Sequence, residues 1–548
     1  MNLTEEIKNI IKGDVSVDEK VLDADSRDAS IFRIKPAIVV YPQDVEDIKV
    51  LVKFVGQKKK GGESISLTVR SAGTDMTGGP LTQSVVVEMT RYFNKVINVG
   101  DGKATVQPGV FYRDFEKETL KRDLLLPSYP ASRELCTVGG MVANNSGGEL
   151  NLNYGKTENY IEKIKMILRD GEEHVFVPLS AQELDKKESE SGIEADIYRQ
   201  IHKIIDDNYE DIKNAKPDVS KNSAGYYLWN VWDKDKKTFD INKLLVGSQG
   251  TFGIVTEITF RLVKPKTYRH LVIAYLNDIN AIPSIVEDVI VYKPESFESF
   301  DDNTFKIAMK FLPQVIKKMK GSFIKLAFSF IPEAWLMLTG GIPKLLLMAE
   351  FSGDSDKEAL DLATKARDAF KKHGLKTKVT SLTEEKEYWV FRRESFNLLR
   401  SKIKNMHTAP FIDDFSVRPE KLSEFFPKLY AILDQYKILY TVAGHIGDGN
   451  FHIIPLMKLE DSKTKPIIEE LSKKVYELIV QFKGTTTSEH NDGLIRSPYL
   501  ELMYGKKIVG LFEQTKDAFD PDNIFNPGKK VRSSWQYAME HLDVPENK

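Results

Sequence analysis

The chain contains 548 residues, of which 41% are hydrophobic and 29% are charged, and its formal net charge is −2. Because a single hydrophobic core rarely grows beyond about 300 residues, we expect two or three domains in a globular protein. The near-neutral charge gives no field that would attract nucleic acid. The single cysteine, Cys136, excludes an intrachain disulfide framework, a cysteine-held iron–sulfur cluster and a cysteine-based zinc finger.

The N-terminal segment 1–28 has no apolar core of the kind that a secretory signal needs. It predicts an amphipathic helix followed by a loop, and we expect a cytoplasmic protein. The longest apolar tract, 323–351, is interrupted by charged residues, glycines and prolines, so it does not predict a membrane-spanning helix.

Two patterns of secondary structure divide the chain near Lys266. Before that residue, short β-branched runs alternate with glycine-rich turns, which is typical of α+β architecture. The clearest runs are 37–41, 85–89 and 163–168. After it, strands at 271–275, 296–300 and 345–351 and helices at 282–291 and 357–372 predict an antiparallel, ferredoxin-like sheet with helices on one face. We therefore expect a first domain at 1–267, a second at 268–485, and a C-terminal segment, 486–548, that returns to pack on the first.

The first candidate site is a glycine-containing loop that follows the apolar run 65–69. Its residues are Arg70, Ser71, Ala72, Gly73, Thr74, Asp75, Met76, Thr77, Gly78 and Gly79. Glycine accepts positive φ and carries no side chain, so such a loop can turn several backbone N–H groups toward one anion. An ordinary glycine and threonine turn is the alternative interpretation.

Two further segments share this glycine-rich character. The second loop contains Thr137, Gly139, Gly140, Asn144, Ser146, Gly147 and Gly148, and the third segment, 245–256, contains Gly247, Gly250, Gly253, Ile254 and Val255. Glycine pairs let a backbone pass close to a flat or charged ligand. The third segment predicts a buried strand punctuated by glycines, and a strand with bulges is its simpler interpretation.

A histidine-rich pattern follows the predicted strand 438–443. His445 and His452 lie in a segment with three glycines, Gly444, Gly447 and Gly449, which predicts that the chain folds back and brings the two imidazoles together. Downstream, the sequence Thr-Ser-Glu-His-Asn-Asp-Gly supplies Glu489 and His490. Two histidines and one carboxylate form a plausible site for a divalent metal such as Zn²⁺ or Mn²⁺, with coordination positions left for substrate.

A basic pair, Arg392 and Arg393, precedes Glu394. A guanidinium offers two parallel donors that match a planar carboxylate. An arginine on a helix surface that pairs with a nearby acid is the alternative.

At these segments the chain resembles the FAD-linked oxidases of the vanillyl-alcohol oxidase type, in the branch with D-lactate, D-2-hydroxyglutarate and glycolate dehydrogenases. The resemblance extends from Ser26 to Val531. It includes the N-terminal sequence Ser-Arg-Asp-Ala-Ser at 26–30 and the C-terminal sequence Phe-Asp-Pro-Asp-Asn-Ile-Phe-Asn-Pro-Gly-Lys at 519–529. It implies that the first two loops hold the FAD pyrophosphate and that the third segment flanks the cofactor. The first loop lacks the histidine that links flavin covalently in some relatives, so noncovalent FAD is expected.

The resemblance also implies roles at the histidine-rich pattern. The metal ligands would be His445, His452 and Glu489, the catalytic base His490, and the group that binds the substrate carboxylate Arg393. The chain has Asn491 where the family pattern has glycine. It also has Ile412 where the hydroxyglutarate enzymes carry a substrate-binding lysine, which makes a dicarboxylate substrate less expected.

The implied function is oxidation of a small D-2-hydroxy acid, of the D-lactate or glycolate type, by hydride transfer to FAD. Two alternatives remain: a flavin-binding subunit of a multi-protein oxidoreductase, and a non-redox enzyme of the same fold such as an ether-lipid synthase. Electrons would leave to a quinone, a separate electron-acceptor protein or oxygen, and the sequence leaves the oligomeric state open.

The segment 305–341 interleaves lysines with aromatic residues. This pattern fits peripheral contact with the inner face of an anionic membrane. A pair of helices in the second domain, buried on the apolar side, is the alternative.

Overall fold

The computed structural model describes residues 2–302, 343–380, 389 and 406–544. Arg393 and the predicted membrane-contact segment lie outside these residues. Within the described ranges, no helix is both long enough and apolar enough to cross a bilayer.

The strands are numbered in chain order. They are β1 (Asp14–Ser16), β2 (Ile38–Tyr41), β3 (Leu67–Arg70), β4 (Val85–Glu88), β5 (Val96–Gly100), β6 (Lys103–Val106), β7 (Ile161–Ile167), β8 (Glu173–Phe176), β9 (Leu179–Ser180), β10 (Trp232–Asp233), β11 (Thr238–Phe239), β12 (Ile254–Arg261), β13 (Tyr268–Leu276), β14 (Ser296–Asp301), β15 (Leu345–Gly353), β16 (Lys376–Thr380), β17 (His407–Thr408), β18 (Phe415–Ser416), β19 (Leu439–His445) and β20 (Asn450–Met457).

The α-helices are numbered in the same way. They are α1 (Leu3–Lys8), α2 (Glu19–Asp25), α3 (Val45–Lys60), α4 (Tyr112–Leu120), α5 (Val138–Asn144), α6 (Asn151–Tyr154), α7 (Ala181–Ser189), α8 (Ile193–Asp207), α9 (Tyr209–Ala215), α10 (Asn242–Leu245), α11 (Ile282–Ile290), α12 (Asp356–Lys372), α13 (Leu422–Leu433), α14 (Thr464–Gln481), α15 (Gly493–Arg496), α16 (Leu500–Phe519) and α17 (Trp535–Glu540).

The N-terminal half contains two main sheets. The first has the order β1-β2-β4-β3, in which β2, β3 and β4 are parallel, and all four residues of β2 and of β4 are buried. Continuous burial is typical of parallel strands that are covered on both faces. The second sheet is antiparallel, with the order β5-β6-β12-β7-β8, and β12 alternates buried and partly buried residues along most of its length. Short strands β9, β10 and β11 form a third, smaller sheet.

The second half contains one large antiparallel sheet. Its order is β16-β13-β15-β14-β19-β20-β17, and β18 also pairs with β20. The strands and helices expected from the sequence correspond to β13, α11, β14, β15 and α12, with bounds shifted by three residues at most. The fold class is therefore α+β, as expected. This sheet matters for function because β14, β19 and β20 are neighbours and carry acidic and histidine side chains.

The C-terminal helix α16 packs against the N-terminal half. Leu511, Phe512 and Phe519 belong to the same hydrophobic core as residues from 104–262. The ring of Phe519 stacks on Phe252 with centroids 4.4 Å apart. Beyond the helix, Phe525 forms an isolated parallel bridge with Leu67 of β3. Burial of this apolar surface joins residues 508–525 to the cores of both main sheets of the N-terminal half.

Candidate functional site

One cavity of about 880 Å³ joins the glycine loops to the histidine cluster. The candidate residues that line it are Ser71, Ala72, Gly73, Thr74, Asp75, Thr137, Gly139, Gly140, Asn144, Ser146, Gly147, Gly250, Val255, His445, His452, Glu489 and His490. Four other candidates, Arg70, Thr77, Gly78 and Ile254, are not among its lining residues. The fold thus brings segments more than 400 residues apart in sequence to one space.

Arg70 supports the first loop from behind. Its guanidinium lies 2.9 Å from the Asp25 carboxylate and donates to the carbonyl of Arg27. Gly73 has φ +65°, and a Cβ there would lie 2.3 Å from the Arg70 guanidinium. Both the backbone conformation and the space therefore require glycine at this position.

The far end of the first loop is held by two carboxylates. The N–H groups of Thr77 and Gly79 donate to Asp75 Oδ2, at 2.9 and 2.8 Å, and the N–H of Gly78 donates to Asp28 Oδ2 at 3.0 Å. Burial and the neighbouring Asp75 raise the pKa of Asp28 to about 8. These three amides are already engaged, and the residues of the loop that line the cavity are 71–76 and Gly79.

The second loop is largely the short helix α5. Thr137 is its N-cap, and its hydroxyl accepts from the N–H of Gly140 at 3.1 Å. A Cβ on Gly139 would lie 2.5 Å from Pro108 Cβ, whereas a Cβ on Gly140 would meet only Thr137 Oγ1, at 3.4 Å. Gly139 therefore permits close packing of the helix, and Gly140 leaves the cavity wall open.

The third segment is not the glycine-punctuated strand that the sequence predicted. Residues 246–253 form a turn region between α10 and β12, because Gly247, Gln249 and Gly250 have φ of +80°, +52° and +68°. Left-handed conformations of this kind do not continue a strand. Gly250 and Val255 line the cavity, while Ile254 lies in the core beneath the first sheet.

The two predicted ligand histidines lie on the hairpin of β19 and β20. His445 is paired with Asn450 and His452 with Ala443, and Gly449 in the turn has φ +61°. The Nε2 atoms of His445 and His452 lie 3.3 and 3.4 Å from the same atom, Glu489 Oε1. The structure thus brings the three predicted ligands together.

Buried carboxylates orient both imidazoles. His445 Nδ1 lies 2.5 Å from Glu298 Oε1 on β14, and His452 Nδ1 lies 3.0 Å from Asp413 Oδ1. The opposite ring nitrogens are thereby directed at Glu489. A carboxylate behind each histidine is the usual support of histidine ligands, so the donor set fits a divalent metal of the Zn²⁺ or Mn²⁺ type.

Lys221 forms an ion pair with the other carboxylate oxygen of Glu489. Its ammonium lies 3.3 Å from Glu489 Oε2 and 3.4 Å from Asp448 Oδ2, and the side chain is completely buried. Burial opposes ionisation of Glu489, but Lys221 and His445 hold the pKa of this carboxyl well below its usual range. Glu489 is therefore a carboxylate whose Oε1 is left to face the two histidines.

Asp414 fixes the turn that carries Glu489 and His490. Its Oδ2 accepts from the backbone N–H groups of Ser488, Glu489 and His490, at 3.0, 2.9 and 2.7 Å, and from the Thr487 hydroxyl at 2.7 Å. Asp414, His452, Glu489 and His490 offer ligand atoms within 4.8 Å of one another. Because the Asp414 carboxylate already accepts several donors, the set of His445, His452 and Glu489 suits a metal better.

The conformation and contacts of Asn491 explain how asparagine can stand where the family pattern has glycine. Its φ is +71°, a conformation that glycine adopts freely and asparagine tolerates better than most residues. The side-chain amide donates to the carbonyls of Asn144 and Gly247, at 3.2 and 2.9 Å, and Lys530 Nζ donates to Asn491 Oδ1 at 2.7 Å. Asn491 therefore keeps the required turn and ties it to the second and third glycine-rich segments.

Several residues of this site have roles that the sequence did not predict. Lys221, Glu298, Asp413 and Asp414 contact the predicted ligands, the base or their loop, Asp448 contacts Lys221, and all five are buried. The sequence offered one indication of these roles. Asp413 and Asp414 are adjacent and lie between aromatic residues, and carboxylates that are buried in such a segment need hydrogen-bond donors nearby. Nothing in the sequence around Lys221 marks it as a neighbour of Glu489.

Comparison with known proteins identifies the class. Residues 36–176 match the model of the FAD binding domain, and residues 266–530 match that of the FAD linked oxidases, C-terminal domain. The chain therefore belongs to the FAD-linked oxidases. The curated relatives that it resembles include D-2-hydroxyglutarate and D-lactate dehydrogenases.

The similarity to individual relatives is low but extensive. D-2-hydroxyglutarate dehydrogenase of Pseudomonas putida is 26% identical over 530 residues, 94% of this chain and 50% of that protein. D-lactate dehydrogenase of Anaerostipes hadrus is 25% identical, covering 96% of each chain. The chain spans about half the length of the D-2-hydroxyglutarate dehydrogenases it matches. The solved structure of 4-ethylphenol oxidase from Gulosibacter chungangensis shares the fold, with a TM-score of 0.68, 16% identity and 97% of each chain covered.

Substitution of the glycines of α5 tests whether the glycine-rich loops bind FAD. Gly140→Val should lower FAD content by at least about tenfold, because Gly140 lines the cavity and a valine side chain would reduce the space for the cofactor. Flavin absorbance per protein reports FAD content, and the melting temperature of the FAD-stripped protein should stay unchanged. Gly139→Ala should instead lower that melting temperature, since its Cβ would collide with Pro108. The matched control is Gly510→Ala, where a Cβ meets nothing within 4 Å. Normal FAD content in Gly140→Val would exclude Gly140 from the cradle.

Removal of the Asp414 charge should loosen the turn at 488–490. In Asp414→Asn one acceptor oxygen becomes a donor that faces backbone N–H groups, which should destabilise the turn by about 3 kcal/mol. Hydrogen exchange of the Ser488, Glu489 and His490 amides should then accelerate by about 10²-fold. Exposed Asp434, replaced by Asn, is the control. Unchanged protection of the three amides would show that Asp414 does not hold the turn.

Proposed function

We propose that the protein oxidises a small D-2-hydroxy acid of the D-lactate or glycolate type to the 2-oxo acid, with FAD as hydride acceptor. The observation that carries this proposal is the continuity of the cavity. One space is lined by the glycine-rich loops at one side and by His445, His452, Glu489 and His490 at the other. A cofactor held by the loops and a substrate held at the imidazoles would therefore share one enclosure.

The cradle suits noncovalent FAD. Segment 71–75 and α5 present backbone and small side chains to the cavity, as close approach to a pyrophosphate requires. The first loop contains no histidine, so it offers no imidazole for attachment of the flavin ring. When bound, FAD supplies a two-electron acceptor for the hydride.

A divalent metal would be held by His445, His452 and Glu489. Their donor atoms face one another, and the outer ring nitrogens of the histidines are supported by Glu298 and Asp413. Such an ion polarises a bound hydroxyl and favours loss of its proton.

His490 is suited to accept the hydroxyl proton. Its ring lines the cavity, and its Nδ1 lies 3.0 Å from Asp413 Oδ2. An imidazole in this position can take a proton from substrate, as a general base requires.

The substrate is proposed to be a monocarboxylate. Ile412, at the position where hydroxyglutarate enzymes carry a lysine, is completely buried in the core of the second domain. Arg393 remains the proposed partner of the substrate carboxylate on sequence grounds. The electron acceptor is proposed to be a quinone or a separate protein, and contact of the segment 305–341 with a membrane remains a proposal that rests on sequence alone.

Anaerobic reduction of the bound flavin tests the reaction. D-lactate or glycolate should bleach the flavin absorbance near 450 nm, whereas L-lactate should not, because the cavity presents one base and one metal set to the substrate carbon. D-2-hydroxyglutarate should react more slowly than D-lactate. Absence of bleaching with every 2-hydroxy acid, in protein that contains FAD and metal, would refute the proposed function.

Two variants separate the metal from the base. His445→Ala should lower bound Zn²⁺ or Mn²⁺ and abolish flavin reduction while FAD stays bound, because the histidine lies at the metal set. His490→Gln should keep both FAD and metal but slow flavin reduction by about 10² to 10⁴-fold. Metal analysis and stopped-flow absorbance distinguish the two. Wild-type reduction rates in both variants would mean that the cluster is structural.

A further inference from the structure

Asp75 places a carboxylate in the loop that is proposed to hold a pyrophosphate. The residue lines the cavity together with its neighbours Thr74 and Met76. A negative charge in such a wall repels the phosphates of a dinucleotide unless hydrogen-bond donors offset it. The contacts of Asp75 give a physical reason for a carboxylate at this position.

The two oxygens of Asp75 contact different walls of the cavity. Oδ2 accepts within the first loop, from the N–H groups of Thr77 and Gly79 and from the Thr77 hydroxyl, at 2.9, 2.8 and 2.7 Å. Oδ1 accepts from the side-chain amide of Asn144 at 3.2 Å. Asn144 is the last residue of α5, and it also lines the cavity. One carboxylate thus joins the first loop to the second, across 69 residues of sequence.

Helix α5 is held from the opposite direction by backbone hydrogen bonds. The carbonyls of Val142 and Ala143 accept from the N–H groups of Gly247 and Gln249 in the third segment, at 2.8 and 2.9 Å. The side chain of Asn144 is directed at the first loop instead. The third segment therefore fixes α5 through its backbone, and the first loop contacts it through a bond between two side chains.

We propose that Asp75 is a positioning residue that sets the spacing between the first loop and α5, and thereby the fit of the cavity around FAD. This inference rests on the proposed function in taking FAD as the occupant. Without the bond to Asn144, the first loop keeps its own turn through Oδ2, but its distance from α5 is no longer fixed. FAD then dissociates faster, because walls that are already in place retain a ligand better than walls that must be ordered around it.

Exchange of the two side chains tests the proposal in the FAD-loaded protein. Asp75→Asn and Asn144→Ala should each release FAD about 10 to 100-fold faster than the wild type, which is the effect of losing a hydrogen bond to a charged group. Asp75→Asn combined with Asn144→Asp reverses donor and acceptor, and it should return the release rate to within about threefold of the wild type. The rate is measured as the FAD that passes an ultrafiltration membrane with time after dilution.

The pair of Asp240 and Asn242 is a matched control. Asn242 Nδ2 donates to Asp240 Oδ1 at 2.9 Å, both residues are buried, and neither is among the residues that line the cavity. Asp240→Asn should lower the melting temperature of the FAD-stripped protein and leave the rate of FAD release unchanged. Asn144→Ala should have the opposite effects, with faster release of FAD and an unchanged melting temperature of the FAD-stripped protein.

A carboxylate that only closes the turn of its own loop would give a different result. Wild-type FAD release from Asn144→Ala, or release from the exchanged pair as fast as from Asp75→Asn alone, would overturn the proposal. If Asp75→Asn does not fold, Asn144→Ala decides by itself, because it leaves the contacts of Asp75 Oδ2 in place. Failure of every 2-hydroxy acid to reduce the flavin, combined with the expected release rates, would instead refute the proposed function and leave the role of Asp75 intact.

Discussion

The site depends on one buried charge, that of Asp414. Three successive backbone N–H groups, from Ser488 to His490, and the Thr487 hydroxyl converge on its carboxylate. A buried carboxylate is costly unless donors surround it, and successive amides that point at one anion force a tight turn. Burial opposes ionisation, but His490 and other cations keep the pKa of Asp414 below its usual range. The direction of Glu489 and His490 follows from this turn.

The turn also connects the two halves of the molecule. Asn491 donates to the second and third glycine-rich segments, and Lys156 Nζ donates to the Ser488 carbonyl at 2.7 Å. Lys530 forms a completely buried ion pair with Asp492 at 2.7 Å. Buried ionic groups of this kind contribute geometry more than stability, since their desolvation offsets much of their attraction. The glycine-rich segments and the histidine cluster are thereby held in fixed relative positions.

Local patterns in the sequence predicted the elements of the second half well, because α11, β14, β15 and α12 have hydrophobic periods that match their structure. The hairpin of His445 and His452 followed from its glycine-rich turn. The segment 246–253 was predicted wrongly, since positive φ at Gln249 cannot be read from residue type. The contacts that Lys221, Glu298 and Asp413 make with the proposed ligands were not predicted, because they join residues far apart in the chain and no local pattern encodes them.

The contacts of α16 have a consequence for synthesis on the ribosome. Phe252 and Tyr226, in the N-terminal half, complete their packing only with Phe519 and Phe512. The N-terminal half is therefore translated before the residues of α16 that close its core, and its apolar surface stays exposed while the residues in between are made. Long sequence separation between packing partners slows folding and prolongs exposure to aggregation. The order in which this chain is made thus differs from the order in which it can become stable.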